Sequence, residues 1–517
     1  MLSHVSRERF VPAEPSAAVD PGHDRRRAAW ATRCSACRSA IFPSSRSVLR
    51  LASCNLNGKR FAVDSGDASS RVGPAWTAAA RAQPSAFAVA SIGRVLVALS
   101  VFAPALIVLL VIARWGVNVP FGDQWELVPL LDDLSKGRVS LAGLWAQHNE
   151  HRLLVPRLVM LALARLSAWN VVWEQVLGVA VAAATWMILA AIARRTLPCG
   201  RRAVVVAAAW LTFSLAQWEN WMWGWQIQIF LNVLAAVIAA WGIARWPRRR
   251  AALWLALTAG VVATFSFANG LALLWLVPLA ARPPRRAVVI SVLAAALVSA
   301  LYLYGYHRPA GHPPLSDCLA DLVRYAKFCF IYLGSPFGQG ALRVAAAFGM
   351  VGLAVFGLSG WCIWRRAEAE RERAVPWLLL GGYVIVSSGI TGLGRAAFGL
   401  GHALASRYTT FSSLFWVATF ALAALALAPV SKAGRPSGWR FVVASCAAAI
   451  AVAYGVSYQR GYVTLRVREA KLGAGRRCAL EYRTAQKRCL ELLHPDGDLV
   501  KERLAILERL GLGPFRR

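Results

Sequence analysis

Three short stretches of this chain carry side chains whose types and spacing suit chemistry. In "GDQWE", Asp123 and Glu126 stand three residues apart and so share one face of a helix. A partly desolvated carboxylate there could accept a proton from a hydroxyl, and the two together could share a divalent cation. The alternative is solvated charge on a surface helix. In "QHNEHR", His148, Glu150, His151 and Arg152 fall within six residues. If helical, His148 and His151 could face one ion. The stretch is not HExxH, however, no third ligand follows at helical spacing, and Arg152 sits where its charge would repel a cation. No metal is assigned to it. An anion suits it better, with Arg152 offering a bidentate fork to phosphate and the histidines supplying donors or a proton near neutral pH. The plainer alternative is a polar turn in which Asn149 caps the following helix. In "LGRAAFGLGHALASRYTTF", Arg395, His402, Arg407 and Tyr408 lie in a short Gly/Ala-rich link, and the arginines there suit a phosphate or lipid headgroups.

The elements that must position these groups are membrane helices. Of 517 residues 57% are hydrophobic and only 16% charged, which places the chain among all-α polytopic membrane proteins. A net charge of +33 could indicate nucleic acid, but the arginines cluster in short runs between apolar segments, where they orient a chain in a bilayer. Hydropathy predicts about eleven transmembrane helices, at 95–113, 171–193, 203–218, 227–244, 251–267, 270–281, 287–304, 341–364, 375–393, 409–429 and 440–457. The pair flanking Phe267-Ala268-Asn269-Gly270 is the shortest.

Every second loop is basic: Arg194 to Arg202, Arg245 to Arg250, Arg282 to Arg286, Arg365 to Arg373, and Lys432 to Arg440. These loops are read as cytoplasmic, with the N-terminus inside and the C-terminus outside a bacterial inner membrane. The same alternation puts 115–170, 305–340 and 394–408 outside. The first of these is long enough to carry structure of its own. Two amphipathic interfacial helices are expected in it: one around Trp125 to Leu134, and one from Glu150 or His151 to about Ser167 with Arg152 and Arg157 towards its polar side. "QWENWMWGWQ", residues 217–226, reads as an interfacial tryptophan belt with Glu219 inside it.

Three regions result. Residues 1–90 are rich in Arg, Ser, Ala and Pro without periodicity and are expected to be disordered, or a mis-called extension upstream of the true start. Residues 91–458 form the transmembrane domain, and 459–517 an external helical tail, either a small domain or a helix lying on the membrane. Cys34 and Cys37 lack a second pair at zinc-finger spacing, and Cys199, Cys329, Cys362 and Cys446 read as small core hydrophobes.

An acidic "GDQWE" just after the first helix, two amphipathic helices in a long first external loop, many short membrane helices and an external tail together resemble the GT-C superfamily of membrane glycosyltransferases. That group contains protein mannosyltransferases and lipid A aminoarabinose transferases, and the similarity covers roughly residues 92–458. The chain also resembles bacterial membrane proteins sharing "DQWE…HNEHR…SRY". The resemblance implies a polyprenyl-phosphate-linked sugar as donor, Asp123 as proton acceptor, Glu126 as its neighbour or metal partner, and Arg395 and Arg407 as binders of the lipid phosphate. One departure is that the family's acidic residues are often adjacent or in a D-x-D pattern, whereas two residues separate Asp123 from Glu126. A transporter or lipid flippase and a non-catalytic membrane scaffold are the alternatives. Transporters commonly carry internal repeats and midplane charge; no repeat is evident, and apart from Glu174 the predicted helices hold little charge.

Overall fold

The computed structural model describes residues 86–246, 249–281, 284–309, 311–428 and 439–516. The expected extension as far as residue 85, the Cys34/Cys37 pair, and Lys432 with Arg435 lie outside the described residues. From α1 (Ala86–Trp115) the chain enters a run of short elements: a 3₁₀ turn (Gly122–Leu127), α2 (Val128–Ser135), α3 (Leu141–Trp145), an antiparallel hairpin of β1 (Gln147–His148) and β2 (His151–Arg152), and α4 (Leu154–Ser167). A helical bundle follows, with α5 (Val172–Thr196), α6 (Arg201–Thr212), the short α7 (Trp218–Met222), α8 (Ile227–Arg245), α9 (Arg250–Thr264), α10 (Gly270–Ala281) and α11 (Arg285–Leu303). It continues through α12 (Leu315–Leu319), α13 (Leu322–Gly334), α14 (Leu342–Trp364), α15 (Glu368–Arg395), α16 (Thr409–Leu427) and α17 (Trp439–Leu480). Two further helices, α18 (Lys487–Leu490) and α19 (Gly497–Leu510), come after it.

The protein is all-α apart from that hairpin among the described residues. Among the described residues seven helices are long and apolar enough to cross a membrane: α1, α5, α8, α11, α14, α15 and α16. Some of them carry outward apolar stripes at helical spacing, such as Leu99, Phe102, Leu106 and Leu110 on α1, each more than half exposed. A bilayer is the solvent that suits such a surface.

Seven is fewer than the eleven spans hydropathy predicts, for physical reasons. The predicted spans at 203–218, 251–267 and 270–281 form helices of only 12, 15 and 12 residues. At 1.5 Å per residue, α9 and α10 extend about 22 and 18 Å, short of an apolar core about 30 Å thick. They run antiparallel, Gly260 packing on Leu274 and Gly270 on Ala263 and Thr264. Their joining turn, 265–269, therefore stops inside the bundle. The last predicted span, 440–457, is the first part of the 42-residue α17. Cys199, Cys362 and Cys446 lie exposed on the bundle's surface and Cys329 is half-buried, so none of the four is a core hydrophobe.

One end of the bundle is basic, with Arg194 and Arg195 closing α5, Arg201 and Arg202 opening α6, Arg245 closing α8 and Arg285 and Arg286 opening α11. The other end is capped. Residues 119–171 and 472–507 share one apolar core, in which Trp125, Leu131, Met160 and Trp169 pack with Leu472, Leu493, Val500 and Leu504. Backbone and side-chain bonds stitch the two segments: Gly122 N–H donates to Leu493 O at 2.8 Å, Asn118 Nδ2 to Gly513 O at 2.9 Å and Gly513 N–H to Ala168 O at 3.0 Å. A disulfide joins Cys478 to Cys489, and Arg509 pairs with Asp132 at 2.8 Å. The tail is thus neither a separate domain nor a free surface helix. It covers the apolar side of α2 that was expected to rest on a membrane interface.

Candidate functional site

The capped end encloses a cavity of about 780 Å³, bounded by the 3₁₀ turn, the hairpin, the start of α8, the α9–α10 turn, and the ends of α11 and α15. Of the residues singled out from sequence, Asp123, His148, Glu150, His151, Arg395, Arg407 and Tyr408 line it. Glu126, Arg152 and His402 are absent from its wall. His402 lies exposed, against Phe398.

Asp123 is held by a turn anchored on three sides. Gly122 adopts φ +56, and a Cβ there would come within 2.9 Å of the Trp223 ring, so only glycine fits. Trp223 Nε1 donates to Phe121 O at 2.8 Å. Gln124 donates to the buried Glu174 at 2.6 Å, and Trp169 donates to the other Glu174 oxygen at 3.0 Å. The turn is 3₁₀, in which residues three apart eclipse, so Asp123 and Glu126 do share a face.

"HNEHR" is a hairpin rather than a helix start. Asn149 takes φ 47 in the two-residue turn, a conformation Asn tolerates better than most residues, and it caps no helix. The turn pairs His148 with His151 across the strands. His148, only 5% exposed, places Nδ1 2.8 Å from Glu126 Oε2 and Nε2 3.4 Å from Asp123 Oδ2. Burial opposes its positive charge, but hydrogen bonds to Asp123 and Glu126 outweigh burial and push its pKa up to about 9. The imidazolium thus occupies the position between the carboxylates where a shared cation was considered. No three His, Cys, Asp or Glu side chains converge as a metal site among the described residues.

His151 behaves oppositely. It stacks on Phe267 with centroids 4.0 Å apart, and its Nδ1 accepts from Ala268 N–H at 3.2 Å, which leaves the proton of the neutral ring on Nε2. Burial drives its pKa down to about 4, with Glu150 only partly offsetting it. Glu150 reaches across the cavity mouth to Arg395 at 2.6 Å, and Arg395 lies 3.2 Å from His312 Nε2. Burial raises the Glu150 carboxyl, while His151 and Arg395 outweigh burial and hold it below the ordinary carboxylate range. Arg407 pairs with Glu219 at 3.1 Å yet keeps a third of its side chain exposed, on the cavity wall.

Two expectations are corrected here. Arg152 offers no fork to phosphate and does not lie on a polar helix face; it is 4% exposed and closes the C-terminus of α11, donating to the carbonyls of Tyr302 at 2.7 Å, Trp145 at 3.0 Å and Tyr304. A helix C-terminus presents unpaired carbonyls that a guanidinium satisfies well. Arg157 does the same for α3, donating to Leu144 and Ala146. The tryptophan stretch is not an interfacial belt either: Trp221 and Trp225 are fully buried, and Trp223 lines the cavity. Trp221 packs in one apolar core with Phe213, Leu215, Met222 and Phe230, and Trp225 in the core of the cap.

Sequence reasoning left Gln226, Gln228, Asn269 and Tyr302 out of the site, and all four line the cavity. The available signal was two amides two residues apart at the start of an apolar span, and an amide in the break between two short ones. Comparison with protein families, with curated proteins and with solved structures finds no match for this chain.

Proposed function

We propose that the chain is a membrane glycosyltransferase that moves a sugar from a polyprenyl-phosphate donor to an envelope glycan, lipid or protein acceptor. The observation that carries this reading is one cavity that joins a positioned carboxylate, Asp123, to two arginines, Arg395 and Arg407, at one end of an apolar bundle. Asp123 accepts the proton of the acceptor hydroxyl as its oxygen bonds to the anomeric carbon. The bond from that carbon to the phosphate oxygen breaks, and the leaving phosphate keeps the electron pair. Arg407 and Arg395 stabilise the charge that develops there. His148 acts by position, fixing the Asp123 and Glu126 carboxylates from one ring. In this reading α6, α9, α10 and the first part of α17 complete about eleven membrane segments, and the capped end faces outward from a bacterial inner membrane. The Cys478–Cys489 disulfide supports an oxidising exterior for that end.

Asp123→Asn and Arg407→Ala should each abolish transfer of the sugar without lowering protein abundance. Envelope glycans and lipids that are unchanged in a deletion strain across growth conditions would overturn the reading. A transporter or flippase is the second reading, favoured by the α9–α10 turn, an interrupted segment that lines the cavity. Substrate flux in proteoliposomes lacking any sugar donor distinguishes it.

A further inference from the structure

Five residues that line this one cavity each carry a buried polar atom with no hydrogen-bond partner among the described residues: Gln226 Oε1, Gln228 Oε1, Glu150 Oε2, Asn269 Nδ2 and Arg395 Nε. Gln226, Gln228 and Asn269 are 2%, 5% and 3% exposed. Gln175 Oε1 and Asn220 Oδ1, away from the cavity, also lack a partner, whereas two other buried amides are spent within the protein. Asn232 donates to Ala263 and accepts from Tyr383, and Gln124 donates to Glu174 and accepts from Phe121 N–H. Buried polar groups are ordinarily satisfied, so a cluster of unsatisfied ones on a single cavity wall points to a ligand.

The mix of atoms selects its chemistry. Three of the five are oxygens, which need donors. An ionised phosphate and an acyl chain have none to give. Each hydroxyl of a sugar ring is donor and acceptor at once and suits both kinds of atom. Phe267 and Trp223 add aromatic surface on the same wall for the ring's C–H face. A ring bearing a carboxylate would bring its charge against the free oxygen of Glu150 and the two glutamine oxygens. We infer that Gln226, Gln228, Asn269 and Glu150 form a subsite for an uncharged, hydroxyl-rich ring, bordered through Glu150 by Arg395, one of the two arginines that take phosphate. This rests on the glycosyltransferase reading and names the class of sugar it moves.

The test titrates the protein in nanodiscs with polyprenyl phosphate, with polyprenyl-phosphate glucose and with polyprenyl-phosphate glucuronate, following tryptophan fluorescence. Glucose should tighten binding about tenfold over the bare lipid phosphate, and glucuronate should not. Gln228→Leu should lose about five- to tenfold for the glucose lipid and nothing for the bare lipid, as expected for one hydrogen bond. Leucine there removes an unpaired oxygen, so folding does not depend on the native side chain; Asn269→Ala gives an independent second variant. Arg407→Ala should weaken all three lipids. Equal binding of the bare and glucose lipids, equal binding of the glucuronate lipid, or a Gln228→Leu protein indistinguishable from wild type overturns the subsite while leaving the phosphate reading intact. If wild type binds no lipid, the polyprenyl-phosphate reading has failed and the subsite is judged on methyl glucoside alone. Thermal protection of wild type that Gln228→Leu loses then supports the subsite, and absence of protection overturns it.

Discussion

Replacing His148 with glutamine removes the ring that bridges Asp123 and Glu126, and the pH dependence of stability should change with it. The folded protein holds the ring's proton up to about pH 9, against an ordinary value of 6.5. The charged form is thus the one the fold favours, so its contribution is fully present below pH 6.5 and is lost as pH rises through 9. A rise of that size corresponds to about 3 kcal/mol. Asp123 and Glu126 are 35% and 51% exposed, so solvent screening brings the expected contribution down to about 1–2 kcal/mol. Thermal unfolding in nanodiscs from pH 4 to 10 should show wild type losing about 2 °C more than His148→Gln between pH 7 and 9.5. His151 supplies an internal control of opposite sign. Its pKa is pushed down to about 4, so its contribution is present above pH 6.5 and is lost as pH falls through 4, on the opposite limb from His148. Parallel wild-type and variant curves across the alkaline limb, or an NMR titration placing His148 at or below 6.5, would refute the reasoning.

Two further outcomes follow from contacts at the cavity rim and in the cap. Arg395→Ala strands the Glu150 carboxylate, whose second oxygen already lacks a partner, and should cost about 2–3 kcal/mol, below the fully buried range because both groups keep some exposure; adding Glu150→Gln should recover about 1–2 kcal/mol, and strict additivity in a double-mutant cycle would count against the pairing. Cys478→Ser opens the disulfide to Cys489, 11 residues on, and should lower stability by about 2–3 kcal/mol; an unfolding midpoint that is insensitive both to this change and to reductant would contradict it.

What was legible in the sequence is what local rules govern. Apolar segments with arginines at alternate ends gave the helices and the shared direction of their basic ends. The three-residue spacing of Asp123 and Glu126 put them on one face, although the turn is 3₁₀ and not α. "HNEHR" was read on a helical template, yet its geometry is set from a distance. Arg152 is drawn to the carbonyls ending α11, Gln147 bonds with the backbone of His307, and Ala268 N–H holds His151. Each partner lies more than 100 residues away, where no spacing rule reaches. The tryptophans at 217–226 failed for a related reason: a belt and a buried plug have the same composition, and the partners of Trp221 and Trp225 come from distant segments. Seven of the eleven expected spans are long enough to cross, and at three of the others the helices have only 12 to 15 residues, a length that hydropathy alone does not register.

The bond from Gly122 N–H to Leu493 O has a consequence for synthesis. About 370 residues separate the turn that carries Asp123 from the segment that holds it. At 5–20 residues per second, translation takes roughly 20–70 s to supply that partner. Throughout that interval the apolar faces of α2 and α4 have no Leu493, Val500 or Leu504 to pack on. The turn that carries Asp123 is therefore among the first parts of this region to be made and among the last to be fixed. A ribosome that stalls within α17 yields a chain with its helical bundle nearly complete and its Asp123 turn unsecured, a product that membrane proteases can tell from the finished protein by its uncovered apolar surface.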